Sequence, residues 1–219
     1  IDILNKVDGI VFVGGFTYSD LMGTATCWKS KLMSIKQRLN EFIYNNSKFI
    51  IGVCNGFQLL IKLGVFGNSI TLEDNYSGRF ESRFLPISVC SDKSIFTKNM
   101  NKVNFGMWVA HKSGRINIMD KTAINRDFIP ILKYNNTNLN SDSDNSDSNN
   151  TCYDVNYPLN PNGSYENIAG ISSIDGRIMG LMPHFERSYL KYQLPYIPKE
   201  YSQIQISPWI QLVKNSKNM

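Results

Sequence analysis

Three side chains in this sequence have the types and spacing for nucleophilic chemistry: Cys54 in "GVCNG", and His184 and Glu186 in "MPHFE". Cys54 has a glycine two residues before it and another two after, and lies between the apolar runs "KFIIGV" and "GFQLLIKLG". Strand, glycine-flanked nucleophile, helix is the pattern of a nucleophile elbow. The glycines relieve crowding at a sharp turn. The turn presents the side chain at the carboxyl end of the strand, where open α/β sheets bind ligands. The N-terminus of the following helix would favour a thiolate. The same spacing also fits a small core residue, because cysteine is among the most buried residue types. Spacing alone leaves both readings open.

A thiolate nucleophile needs a base, and the base needs an orienter. Only His111 and His184 are available. In extended chain His184 and Glu186, two residues apart, point to the same side. Glu186 can then hold the imidazole in one tautomer while His184 meets Cys54. The competing reading is a surface loop with both side chains solvated. His111, in "VAHKSG", has no carboxylate close in sequence and is expected to be non-catalytic. Acyl transfer also needs donors for the developing oxyanion. The elbow offers the backbone N–H of Asn55, and the strand end "VFVGG" offers Gly14 or Gly15, since glycine lets backbone approach a ligand closely.

The elements that must position these residues follow from periodicity. "DGIVFVGG" and "KFIIGV" read as buried parallel strands. Residues 27–45 read as one amphipathic helix, with Leu32, Ile35, Leu39, Phe42 and Ile43 at helical spacing. "GFQLLIKLG" reads as a second helix stopped at Gly64. This order predicts an α/β fold: an open, mostly parallel sheet with helices on both faces. "GRFESRFLPISV" reads as a strand that Pro86 places at an edge or bulge. "NFGMWVAHKSGRINI" reads as one or two strands with a turn at Ser-Gly, and "NIAGISS" and "GRIMGLMP" flank a hairpin signal at Asp175-Gly176. Together they predict an antiparallel extension. Residues 135–151 hold one apolar residue in seventeen and are expected to be a disordered surface insertion.

Composition narrows the function classes. At 219 residues the chain is long enough for one domain with a sizeable core, or at most two small ones, and one domain over 1–219 is the expectation. Its longest apolar runs are too short to span a bilayer. The net charge of +5 is spread out, and Lys29, Lys31, Lys36 and Arg38 fit a solvated helix face better than a nucleic-acid surface. The four cysteines form no CxxC pair and no short metal spacing with histidine, so neither a metal site nor a disulfide framework is expected. A cytoplasmic, reduced protein with one special cysteine is the expectation.

Six segments, "GGFTYSDLMGT", "GVCNGFQLL", "SGRFESRF", "NPNGSYENIAGI", "DGRIMGLMPHFERS" and "SPWIQLVKN", occur in an order that resembles the class I, or triad, glutamine amidotransferase domain of the phosphoribosylformylglycinamidine synthase family. The resemblance runs from about Asp8 to the C-terminus outside the insertion, and the "SPW" tail resembles the long single-chain form. It implies a flavodoxin-like fold in which Cys54, His184 and Glu186 are the triad. Asn55 with Gly14 or Gly15 would form the oxyanion hole, and Gln58, Phe16 and Arg79 would be substrate contacts. Arg79 and Glu81 are read as pocket-shaping or domain-docking residues. The resemblance also implies glutamine as substrate and no cofactor in this domain. ATP and Mg would act in a synthetase domain, in the same chain or a separate subunit. Three departures are Ser19 for the family's glycine, Phe185 for proline, and "HKSG" at 111–114 for "HGEG". The family domain also has a strand–helix–strand before "DGIVFVGG", so the chain is expected to be the C-terminal part of a larger synthetase. Alternatives are a triad glutaminase serving another ammonia acceptor, a degenerate docking or regulatory module, and a cysteine hydrolase of the same elbow type.

Overall fold

The computed structural model describes residues 3–17, 25–101, 103–136 and 155–217. Ser19 and nearly all of the 135–151 insertion lie outside the described residues. The first half of the chain alternates as its periodicity predicts. Strand β1 (Gly9–Phe12) leads to helices α1 (Thr26–Leu32) and α2 (Lys36–Ile43), then β2 (Phe49–Val53) and α3 (Asn55–Leu63). The single helix expected over 27–45 is interrupted by a 3-10 turn at Met33–Ile35. There the Ser34 hydroxyl donates to the Lys31 carbonyl at 3.0 Å, a local bond that bends helices. Helix α3 ends at Gly64 in the left-handed region, as expected.

The second half supplies β3 (Ile70–Glu73), β4 (Glu81–Val89), β5 (Asn104–His111), β6 (Arg115–Ile118), β7 (Phe128–Tyr134), β8 (Ile168–Ser173), β9 (Ile178–Leu181) and the C-terminal helix α4 (Ile210–Ser216). Seven strands form one sheet in the order β1-β2-β9-β8-β7-β4-β5. Strands β1, β2 and β9 run parallel, and the other pairings are antiparallel. The α/β class and the antiparallel extension are as predicted, but the balance differs: two pairings are parallel and four antiparallel. No strand is expected from the sequence at 128–134, where β7 joins β4 and β8 by antiparallel pairing. Strands β5 and β6 do not form a hairpin. Strand β6 pairs with β3 in a separate two-stranded sheet.

Pro86 lies in the second strand from the sheet's end rather than at an edge or bulge. Its carbonyl faces β7, where it accepts from the Asn135 N–H at 3.1 Å, so its nitrogen faces that side too. Regular β7 pairing begins only at Ile87, and the missing N–H therefore costs no ladder bond. Strand β1 closes the other end of the described sheet, with Val11 and Val13 exposed.

Close packing places α3 on the parallel strands. Gly52 and Gly180 are neighbours in register. A Cβ on Gly180 would fall 2.1 Å from the Phe57 ring, and one on Gly52 2.6 Å from Leu60, so the glycines let α3 settle onto the sheet. Trp28 of α1 meets Phe12 on the same face. On the opposite face Phe49 packs edge-on against Phe96, whose carbonyl accepts from Asn215 of α4 at 2.8 Å. Arg177, at the start of β9, donates to the carbonyls of Ile43, Asn45 and Lys48 and pairs with Asp175. It thereby ties the end of α2 to the β8–β9 hairpin.

Candidate active site

Strand β2 ends at Val53 and α3 starts at Asn55, so Cys54 is the whole of the turn. Its backbone sits at φ 49°, ψ −105°. A non-glycine residue there costs about 1–3 kcal/mol, strain that surrounding structure must hold in place. The Cys54 N–H donates to the Leu181 carbonyl of β9 at 2.8 Å, and its carbonyl accepts from Gln58 N–H at 3.0 Å. Sheet and helix therefore each fix one side of the turn. The thiol lies 3.7 Å from the Ala110 carbonyl of β5. The residue is 6% exposed, so burial and presentation to a cavity, alternatives in the sequence, hold together in the fold.

His184 follows β9 and is bridged to β5. Its N–H donates to the Trp108 carbonyl at 2.7 Å, and its carbonyl accepts from the Ser188 hydroxyl at 2.9 Å. The Ser188 carbonyl accepts from the Ser207 hydroxyl, and the Trp209 indole N–H reaches the Gly106 carbonyl of β5 at 2.9 Å. The "SPW" segment thus buttresses the loop that carries the histidine. His184 Nδ1 is hydrogen-bonded to Glu186 Oε1. Nε2 is buried without a hydrogen-bond partner among the described residues. The carboxylate places the ring proton on Nδ1, which leaves Nε2 as an acceptor.

One cavity of about 110 Å³ joins these groups. It is lined by Gly15, Phe16, Cys54, Gln58, Ala110, His111 and His184, with Phe80, Lys112, Ser113 and Arg187 around them. Its size suits a small amino acid rather than a nucleotide. Gly14 lies directly behind: a Cβ there would meet His184 Cε1 at 2.6 Å and Cys54 Cβ at 3.4 Å. Asn55 opens α3 beside the thiol and is buried. Its side-chain N–H donates to Gln58 Oε1 at 3.0 Å, while Gln58 Nε2 donates to the Ser113 carbonyl at 2.7 Å. Gln58 thus fastens the 111–114 loop to α3 at the cavity wall.

The sequence-predicted residues Cys54, His184, Glu186, Gly14, Gly15, Asn55, Gln58 and Phe16 come together here. Arg79 does not line the cavity. It sits exposed on the turn before β4, its carbonyl accepting from Asn75 at 2.9 Å, and Phe80 reaches the cavity instead. Glu81 is buried, paired with Arg83 and in register opposite His111, so it shapes the strand beneath the site without touching it. Sequence reasoning missed Lys112, Ser113 and Arg187 as cavity residues. The signal available for the first two was the "NPNGS" motif: Asn162 within it binds the backbone and side chain of the 111–114 loop.

His111 is buried and, pushed down to about 3 by burial and then by the nearby His184, is neutral. Burial also raises the Tyr134 hydroxyl, against a hydrogen bond from Asn162, with the Cys54 sulfur adding to the rise. Among the described residues, no cluster of three or more His, Cys, Asp or Glu side chains is arranged to hold a metal ion. No described helix is long and apolar enough to cross a membrane.

The fold has counterparts among known proteins. The chain belongs to the CobB/CobQ-like glutamine amidotransferase domain family, whose profile matches residues 2–218. It is 38% identical over 197 residues to phosphoribosylformylglycinamidine synthase subunit PurQ of Methanococcus maripaludis, covering 85% of this chain and 67% of that one. It is 32% identical to phosphoribosylformylglycinamidine synthase of Dictyostelium discoideum over its entire length, but spans only 16% of that protein. The solved PurLQS structure from Thermotoga maritima superposes with a TM-score of 0.67 at 25% identity, covering 97% of this chain and 79% of that chain.

Proposed function

We propose that this chain is the glutaminase part of a phosphoribosylformylglycinamidine synthase. The observation that carries the reading is the meeting of a strained Cys54 with His184, whose Nδ1 is held by Glu186 and whose Nε2 is without a partner among the described residues, in one amino-acid-sized cavity. His184 takes the thiol proton as Cys54 attacks the side-chain amide of glutamine. The backbone N–H groups of Asn55 and of Gly14 or Gly15 hold the oxyanion. His184 returns the proton to the leaving nitrogen and ammonia departs, leaving a glutamyl thioester. His184 then activates water, and glutamate is released. Glu186 keeps the imidazole in one tautomer throughout.

The ammonia passes to a synthetase domain, fused in the same chain or present as a separate subunit. There ATP and Mg support conversion of formylglycinamide ribonucleotide to the formylglycinamidine in cytoplasmic purine synthesis. The names of the relatives and the one-sixth of the long relatives' length that this chain spans support that division of labour.

The test uses the whole synthetase. A glutamine-analogue electrophile labels Cys54. Cys54→Ala loses glutamine-dependent turnover and keeps ammonia-supported turnover. His184→Ala loses nearly as much as the cysteine variant, since triad members act as a unit. A Cys54→Ala enzyme that retains its glutamine-dependent rate overturns the mechanism.

A further inference from the structure

A hydroxyl stands between the proposed base and the sheet. Strand β5 ends the seven-stranded sheet, so one edge of its backbone has no strand beside it among the described residues. Two groups on β5 face the site. The Ala110 carbonyl lies 3.7 Å from the Cys54 sulfur, and the Trp108 carbonyl accepts from the His184 N–H at 2.7 Å. Carbonyls two residues apart on a strand point the same way. Nucleophile and base are therefore both referenced to one edge of β5.

The bridge to His184 is not an ordinary one. Trp108 and His184 oppose each other as an antiparallel pair. A hydrogen-bonded antiparallel pair exchanges two N–H···O=C bonds. Here the second runs through a side chain. The Trp108 N–H donates to the Ser188 hydroxyl oxygen at 2.9 Å, and that hydroxyl donates to the His184 carbonyl at 2.9 Å. The direction is fixed, because an amide N–H can only donate, a carbonyl can only accept, and a hydroxyl has one proton. Ser188 is 0% exposed, and its own carbonyl is held by the Ser207 hydroxyl. Turning the Ser188 hydroxyl away would leave two backbone groups without partners, which costs more than a typical hydrogen bond contributes.

The hydroxyl is thus a spacer. On its N–H side His184 touches β5 directly; on its carbonyl side it is held off by one hydroxyl group. This tilts the backbone from which the imidazole projects, while Cys54 keeps its own contact with Ala110. Without the hydroxyl, the Trp108 N–H and the His184 carbonyl stay apart unpartnered, or close directly and draw the histidine toward β5 by the width of the missing group. Either outcome shifts or loosens the base, and a misplacement of about 1 Å costs on the order of 100-fold in rate.

We infer that Ser188 is a positioning residue for the catalytic base: its hydroxyl, inserted between Trp108 and His184, sets the reach of the imidazole toward Cys54. It acts through His184 alone. The inference rests on the glutaminase reading above and adds to it the device that aims the base.

Three variants of the whole synthetase separate positioning from packing. Ser188→Ala removes the spacer. Ser188→Thr keeps the hydroxyl. Ser207→Ala removes the neighbouring hydroxyl and leaves the bridge intact. In Ser188→Ala, glutamine-dependent kcat is expected to fall about 30-fold or more with glutamine KM changed less than about threefold. The maximal rate at which a glutamine-analogue electrophile labels Cys54 falls with it. Ser188→Thr recovers most of both rates, and Ser207→Ala stays within about fivefold of wild type. Ammonia-supported turnover does not use His184 and reports folding.

A Ser188→Ala enzyme with a wild-type kcat overturns the inference, and so does one whose main change is in KM. A folded Thr variant no better than Ala, or a Ser207→Ala loss as deep as that of Ser188→Ala, overturns it too, because the role would then be one of packing. If the added methyl of threonine abolishes folding, the comparison of Ser188→Ala with Ser207→Ala decides. Loss of ammonia-supported turnover in Ser188→Ala also counts against it, since the role assigned is local to the base. Failure of the glutaminase reading would show instead in a Cys54→Ala enzyme that keeps its glutamine-dependent rate with Ser188 intact.

Discussion

Gly14→Ala tests how closely the site is assembled. A Cβ at Gly14 would fall 2.6 Å from His184 Cε1, 3.3 Å from its Nδ1 and 3.4 Å from Cys54 Cβ. Ordinary contact begins near 3.4 Å, so the imidazole must withdraw by about 0.8 Å or the glycine strand end must retreat instead. The imidazole has little room to yield. It is 1% exposed, hydrogen-bonded at Nδ1 to Glu186, and its backbone is fixed on both sides by Trp108 and Ser188. Retreat of Gly14 carries the proposed oxyanion donors away from the thiol. Either displacement approaches the 1 Å misplacement that costs on the order of 100-fold in rate. Glutamine-dependent kcat/KM in the whole synthetase is therefore expected to fall about 100-fold, with ammonia-supported turnover retained as evidence of folding. An alanine variant within about threefold of wild type would refute the reasoning, because it would mean that the base and the glycine do not touch in the working enzyme.

Two further predictions concern stability. Trp209→Ala empties a fully buried site and removes the indole bond to Gly106, for an expected loss of about 3–5 kcal/mol. Urea denaturation measures it, and a loss below about 1 kcal/mol would show that the "SPW" segment does not buttress β5 and the His184 loop. The second concerns pH. His111 ionises near 6.5 when exposed and is pushed down to about 3 by burial and by His184. The unfolded chain takes up this proton first, so the stability contributed by the neutral ring is complete above pH 6.5. It then falls by about 1.4 kcal/mol per unit as pH drops toward 3. Denaturation midpoints for wild type and His111→Asn should converge as the pH is lowered through this window. Parallel pH profiles would show that the ring protonates without unfolding its surroundings.

Much of the site was legible because its chemistry is local in sequence. Gly52, Cys54 and Gly56 define the elbow within five residues, and His184 with Glu186 within three. The first half of the fold was legible for a similar reason: β1, β2 and α3 follow one another, and each carries its own period. What failed involved partners far away in the chain. The proline of β4 suggested an edge, yet β4 lies between β5 and β7, because β7 pairing starts one residue beyond the proline. Arg79 looked like a pocket residue because its motif is specific, but motif membership does not say which side chain turns inward, and Phe80 does.

By itself the sequence marked Cys54, His184 and Glu186 as candidates and determined the α/β class, since each rests on residue type and short spacing. It could not choose between a core cysteine and a reactive one, nor assign His111 any part. Only the tertiary structure shows Cys54 both buried and on a cavity wall, with His111 beside it. Strand β5 brings Ala110 and His111 beside Cys54 across 56 and 57 residues of chain, and Asn162 reaches back 51 residues to the histidine ring. Which nitrogen of a ring carries a proton depends on the group that faces it, and a chain shows that group only once it has folded.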